Sequence, residues 1–285
     1  MSLTLRPGTA ADAPVCGEIC YRAFATIASQ HNFPPDLPSA EVGVGLISAL
    51  LAQPDVYSVV AESDGRVLGS NFLWESTRIA AVGPITVDPD GQNTAVGRAL
   101  MLDVMARARH GGFAGTRLVQ AAYHNRSLAL YTKLGFDARE ALSAFQGPPI
   151  GKVLPGHAVR AAAPGDVEAC DALCRAVHGH DRSAEVRVAV TQGRATVVER
   201  HGRITGYATV VGFFGHVLAE TNDDLKALIA AAPEFPGPGF LLPTRNSDVF
   251  RWCLAHGLRV VQPMTLMSIG LYNEPRGAFM PSVLY

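Results

Sequence analysis

The sequence predicts an α+β protein of two tandem domains, each a mixed, twisted β-sheet flanked by helices on both faces. Three observations lead there. A chain of 285 residues exceeds what one hydrophobic core usually organises and suits two domains of about 140 residues each. Hydrophobic residues make up 48% and charged residues only 17%, so the chain has the apolar material for two cores and is not disordered. Finally, one order of strand-like and helix-like runs occurs twice.

The repeat is legible in short strings. LTLRPGTAAD and HAVRAAAPGD open the two copies, with Arg6 and Arg160 separated by 154 residues, as are Cys16/Cys20 and Cys170/Cys174. SAEV recurs at 39–42 and 183–186, GRVLG at 65–69 is answered by GRITG at 202–206, and Asn125 by Asn246. From Gly65 to Asn125 is 60 residues, whereas from Gly202 to Asn246 is 44. The shortfall falls on the counterpart of IAAVGPITVDPDGQNTAVGRALM, which is therefore expected once. Two similar domains account for a duplication of this length, since short stacked repeats are absent. The Pro/Gly-rich stretch QGPPIGKVLPGH marks the linker. It divides the chain into domains 1–152 and 153–285.

Within the first copy, LTLRPG reads as a strand. A helix follows from Thr9, its N-cap, with Asp12 in the first turn where the helix dipole favours an acid. After the loop HNFPPDLPS, Ser39 caps a second helix. DVYSVVAES, GRVLGSNFLWE and RIAAVGPITVDP read as strands joined by tight turns. A helix from Ala95, the strand TRLVQAAY, the helix NRSLALYTKLG and a last strand complete the domain. Five cysteines, an odd number with no C-x-x-C spacing, argue against both a disulfide framework and a metal site. They read as buried thiols. HGHD at 178–181 reads as a solvated turn.

The net charge of −1 and the lack of a basic run point away from nucleic acid. No apolar stretch reaches the roughly 20 residues that span a bilayer, and no signal peptide opens the chain, so the expectation is a cytoplasmic protein off the membrane.

The strand-turn-helix ITVDPDGQNTAVGRALM puts a turn of short side chains at a helix N-terminus. Unpaired N–H groups and the dipole there can hold a diphosphate. Together, VDPDGQNTAVGRAL and NRSLALYTKLGF resemble the two signature segments of the GCN5-related N-acetyltransferase (GNAT) superfamily. Gln92, Ala95 and Gly97 occupy the marked positions of its Gln/Arg-x-x-Gly-x-Gly/Ala loop, and Asn125, Tyr131 and Gly135-Phe136 match the later segment. The resemblance covers residues 1 to about 145 and extends to the second half as a degenerate copy. Ala95 departs from the pattern, because a methyl group disfavours positive φ where glycine is expected.

The resemblance implies acetyl-CoA as co-substrate and acetyl transfer to a primary amine, carried by a small molecule or a peptide. It implies that Ile85, Thr86 and Val87 lie along the pantetheine and that Gln92, Asn93, Thr94, Ala95, Val96, Gly97 and Arg98 hold the diphosphate. Asn125 bonds the pantetheine, and Tyr131 protonates the departing thiolate. A protonated amine needs a base, for which Glu75 is the first candidate and His124 the second. His31 and Phe33, with Asp36, belong to the loop that forms a substrate wall in this superfamily. The second domain is expected to dock on the first and shape the acceptor pocket. No metal is implied. The alternative is a non-catalytic acyl-CoA-binding or regulatory module; another acyl group and a homodimer also stay open.

Overall fold

The computed structural model describes residues 3–91 and 95–284. By compactness the chain forms two units: Met1–Leu118 with Tyr123–Asp137 and Ser268–Leu271, and Val119–Ala122 with Ala138–Met267 and Tyr272–Tyr285. The two sequence copies therefore interleave. The strand at Asp137–Gln146 lies in the second unit but for its first residue, and the end of the strand at Arg259–Gly270 belongs to the first.

The first unit starts with β1 (Thr4–Pro7) and a 3-10 turn at Ala10–Asp12. Next come α1 (Ala13–Gln30), α2 (Ala40–Leu51), β2 (Val56–Ser63), β3 (Arg66–Trp74), β4 (Ile79–Val82) and β5 (Thr86–Val87). It continues with α3 (Val96–His110), the start of β6 (Gly115–Ala121) and α4 (Asn125–Lys133). The Ser39 cap holds, its hydroxyl accepting the Val42 N–H, whereas Thr9 caps the 3-10 turn before α1, donating its N–H and hydroxyl to Asp12, and Asp12 is the residue that caps α1.

β1, β2, β3 and β4 pair antiparallel in sequence, while β4 and β6 pair in parallel, so this sheet is mixed. Neighbouring residues of β3 show why both faces are covered, because successive side chains of a strand point opposite ways. Phe72 packs with Cys16 and Cys20 of α1 and Ile47 of α2. On the other side Asn71 donates to the Leu100 carbonyl of α3.

The second unit holds β7 (Asp137–Gln146) almost whole, then β8 (Ala158–Ala161), α5 (Val167–His178), α6 (Ser183–Thr191), β9 (Thr196–Arg200) and β10 (Arg203–Ala208). β11 (Val217–Ala219), α7 (Asn222–Ala231), β12 (Phe240–Pro243), α8 (Ser247–Ala255), most of β13 (Arg259–Gly270) and β14 (Ala278–Met280) follow. One antiparallel sheet runs β14-β11-β10-β9-β8, and β7 pairs with β12. Val197 packs under α5 and Val198 under α7, so helices again cover both faces. The 147–157 connector has no regular structure, yet Ile150 and Leu154 pack on the second core.

The duplication reaches individual contacts. Arg6 bridges Asp12 (2.7 Å) and Glu62 (2.8 Å); Arg160 bridges Asp166 (2.6 Å) and Glu199 (2.5 Å). Each arginine ties the first strand to the next strand and to the entry of the first helix. All five cysteines are free and buried. In both copies the last glycine of the GRxxG string allows a close strand approach: a Cβ on Gly69 would lie 2.3 Å from the Thr86 oxygen, and one on Gly206 3.0 Å from the Leu218 oxygen.

Two expectations need correction. The strand-turn-helix expected once is present in both copies, but in the second it is trimmed to β11, the two residues Glu220-Thr221 and a ten-residue α7. HGHD is not a solvated turn. His178 and His180 are 4% and 8% exposed, stacked at 5.8 Å, with His178 edge-on to Phe279.

Candidate functional site

RIAAVGPITVDP is broken at Gly83-Pro84 into β4 and β5, and the break builds the site. Leu73 pairs with Val82 and Ser70 with Thr86, so β3 advances three residues while its partner advances four. This one-residue bulge lets the pairing change partners. β4 pairs with β6 as far as Ala81↔Arg117, whereas β5 pairs with β3 alone among the described residues. One edge of β5 is left open.

Backbone groups alternate sides along a strand. The Asp88 N–H donates to the Leu68 carbonyl at 2.8 Å, so the Val87 N–H and C=O face the open edge. Thr86 is turned the other way: its oxygen lies against Gly69 and its side chain is buried. The strand edge expected of Ile85, Thr86 and Val87 is thus carried by Val87, with Ile85 half-buried beside the bulge.

Beyond Val87 the chain is clasped. Asp88, 3% exposed, accepts from Arg66 (2.6 Å) and the Asp90 N–H (3.1 Å), and Arg22 lies 3.5 Å away. Arg22 also binds Asp90 at 2.8 Å. The arginines and the Asp90 N–H hold the Asp88 carboxyl below its ordinary range although burial opposes this. A cavity of about 500 Å³ opens beside this clasp, lined by Arg22, Arg66 and Asp88 but by none of the sequence-predicted residues.

Gln92, Asn93 and Thr94 lie outside the described residues. Ala95 caps α3 in the left-handed region, φ 62° and ψ 1°, and its side chain makes no cap bond. The conformation that the methyl group disfavours is therefore adopted, at a cost of about 1–2 kcal/mol. The first turn, Val96, Gly97 and Arg98, contains no acidic residue and Ala95 makes no side-chain cap bond, so among the described residues the positive dipole end favours an anion. A Cβ on Gly97 would stand 3.6 Å from Val87 Cγ2 and 3.8 Å from Leu130 Cδ2. The strand edge, the helix N-terminus and α4 thus meet at Gly97.

Leu130 precedes Tyr131, which is 6% exposed with its ring 6.3 Å from that of Phe136. Burial pushes the Tyr131 phenol up to about 12, against a hydrogen bond from Ser127. Asn125 is exposed in the first turn of α4, and His124 is the cap, its Nδ1 accepting the Ser127 N–H at 3.1 Å. Burial lowers the His124 pKa below its ordinary value. The other predicted wall gathers here as well: Phe33 stacks on Tyr123 at 4.3 Å, and His31 lies 5.4 Å from the same ring. Tyr123 was missed from sequence. Its position just before the motif's Asn125 was the available signal.

Glu75 does not join the group. Both of its oxygens hold Arg107, at 2.7 and 2.9 Å, and Arg107 lies over the Tyr57 ring at 5.2 Å. Glu75 also stands six residues beyond Gly69, the partner of Val87, or about 20 Å along β3.

Residues 24–136, the span from mid-α1 to the Gly-Phe turn after α4, match the family model described as Acetyltransferase (GNAT) family. The match covers α4 and the turn that follows it as well as the start of α3. Solved structures extend the fold to the whole chain. A Pyrococcus horikoshii protein named as a candidate acetyltransferase covers 97% of this chain and 94% of its own, at 17% identity and a TM-score of 0.72. A GCN5-related N-acetyltransferase from Sphaerobacter thermophilus covers 95% and 96%, at 16% identity and a TM-score of 0.62. A tandem GNAT protein of the clavulanic acid biosynthesis pathway covers 94% and 98%, at 15% identity and a TM-score of 0.57. No curated protein matches the sequence. The likeness to these structures shows that the whole chain shares their fold. Among the described residues, no helix is long and apolar enough to cross a membrane, and no three metal-ligating side chains gather.

Proposed function

We propose that the N-terminal GNAT copy transfers an acetyl group from acetyl-CoA to a primary amine by direct attack, and that the C-terminal copy does not bind the co-substrate. The observation that carries this reading is the meeting at Gly97 of the open edge at Val87, the uncapped N-terminus of α3 and the helix that presents Tyr131. Acetyl-CoA fits that arrangement by its chemistry. The amides of Ala95 to Arg98 hold the diphosphate at the positive helix end. The Val87 edge lies along the pantetheine amides, with Asn125 reaching the same arm.

The amine nitrogen attacks the thioester carbon, and the Val87 N–H stabilises the oxyanion that forms. As the C–S bond breaks, Tyr131 gives its proton to the sulfur. A phenol held near 12 is a weak acid against a thiol in water near 8.5. Burial closes that gap: the desolvated thiols of Cys20 and Cys170 in this protein are pushed up to about 12, and a CoA sulfur held against a buried Tyr131 feels the same penalty.

The test is thiol release from acetyl-CoA with spermidine, L-lysine, kanamycin and a hexapeptide with a free amino terminus. Release with one of these, reduced in Tyr131→Phe while CoA affinity holds, supports catalysis. CoA binding without release with any acceptor supports the rival reading of a non-catalytic acyl-CoA module.

A further inference from the structure

We propose that His31 is the general base of the transfer. This rests on the amine-acetylation reading above and names the group that takes the amine's proton. Two other candidates are removed by their partners. Glu75 is held by Arg107 through both oxygens at the far end of β3. His124 accepts the Ser127 N–H at Nδ1, so its neutral ring carries hydrogen on Nε2 and is a donor there.

His31 has the opposite tautomer. Its Nδ1 lies 3.0 Å from the Ile27 carbonyl, an atom that only accepts, so Nδ1 carries the hydrogen. The lone pair is then on Nε2, in an exposed side chain at the end of α1. A carbonyl that fixes the tautomer and aims the other nitrogen is how a histidine base is held.

The ring belongs to the predicted acceptor wall. His31 packs beside Tyr123, which also stacks on Phe33 and precedes the cap of α4. Along α4, Tyr131 is seven residues beyond His124, about 10 Å at 1.5 Å per residue. Tyr123 and His124 face the ring, and each has a charged neighbour of its own, Asp36 for Tyr123 and Arg126 for His124.

The step balances. A neutral amine bonds to the acetyl carbon, its N–H proton passes to His31 Nε2, and the C–S electron pair leaves on sulfur. Sulfur takes the Tyr131 proton, and the imidazolium returns one proton to the phenolate through solvent. Amide and free thiol are the products.

The experiment uses the full-length protein and the fastest amine of the panel, with kcat/KM measured from pH 5.5 to 9. His31→Ala is expected to lower kcat about 10² to 10³-fold, to lose the acid limb of the profile and to keep its CoA affinity. Free imidazole should restore part of the rate, which a merely structural role for His31 would not allow. Glu75→Gln is expected to keep kcat/KM within about threefold. An His31→Ala protein that keeps its kcat and acid limb, or an activity loss on Glu75→Gln with the limb abolished, overturns the assignment. A wild-type protein that releases no thiol with any acceptor overturns the parent reading instead.

Discussion

The N-termini of α3 and α7 occupy corresponding places in the two copies, and the contrast between them shows why the proposed diphosphate site belongs to the first copy. α3 starts from Ala95 without a side-chain cap and carries Val96, Gly97 and Arg98 in its first turn. α7 starts from Thr221, whose hydroxyl accepts the Asp224 N–H, and its first turn holds Asp223 and Asp224. Asp224 is fully buried, bonded to Thr205 and Thr221 and paired with Arg200. Among the described residues no side chain caps the start of α3, while α7 caps its own from Thr221 and fills its first turn with acids. A turn cut to two residues also leaves no room for a cradle. The second copy has a capped, acid-filled helix start at this place, which stabilises the helix and repels phosphate.

The helices that follow repeat the lesson. Counted from their caps, His124 and Asn246, the seventh residue is Tyr131 in α4 and Cys253 in α8; the eleventh is Gly135 or Gly257. The Phe136 and Leu258 amides donate to the Tyr131 and Cys253 carbonyls respectively. The turn and the buried position survive. The phenol does not.

Four changes would sharpen or break this contrast. Replacing Tyr131 by the cysteine of the other copy should lower kcat about 10³-fold while acetyl-CoA affinity, read by calorimetry, changes little. Writing the α7 start into α3, as Gly97→Asp with Arg98→Asp, should weaken acetyl-CoA about 100-fold with an unchanged circular dichroism spectrum. The contacts a Cβ would make at Gly97 are ordinary ones, so a loss there reports charge rather than a clash. Retained affinity would disprove the anion cradle.

The third change concerns the shared clasp. Asp12 is depressed to about 2 by its hydrogen bonds with Arg6, and Asp166 is lowered by Arg160. A carboxylate with a depressed folded pKa contributes stability that is present above its unfolded value, near 3.9, and is lost as pH falls through the folded one. Arg6→Ala should therefore cost about 2 kcal/mol at pH 7, and the difference from wild type should vanish between about pH 4 and 2 in urea titrations. Smallest is Ala95→Gly, which removes the left-handed strain and should stabilise the protein by up to about 1 kcal/mol, read as a rise in Tm. A fall in Tm would show that Ala95 is not strained.

Much of this was legible in sequence because it depends on local chemistry. The Ser39 cap, the paired cysteines and the recurrence of Arg6 and Arg160 follow from helix periodicity and spacing. The partner of Glu75 was not legible for a physical reason: a carboxylate's surroundings depend on packing, and Arg107 is brought to it by α3, not by sequence proximity. The same holds for His178 and His180, whose polar character suggested solvent until Phe279 from the chain's end covered one of them. Tyr123 could not be weighed until α1 delivered His31 and Phe33 to its ring.

The sequence by itself determined the duplication, the element order, the GNAT signatures and Tyr131, since each is written in residue type and interval. Only the tertiary structure decided which edge of β5 stays unpaired, which histidine nitrogen carries a lone pair, and that α7 closes its own N-terminus. Those outcomes depend on hydrogen bonds between residues far apart in the chain, and such partners are chosen by packing.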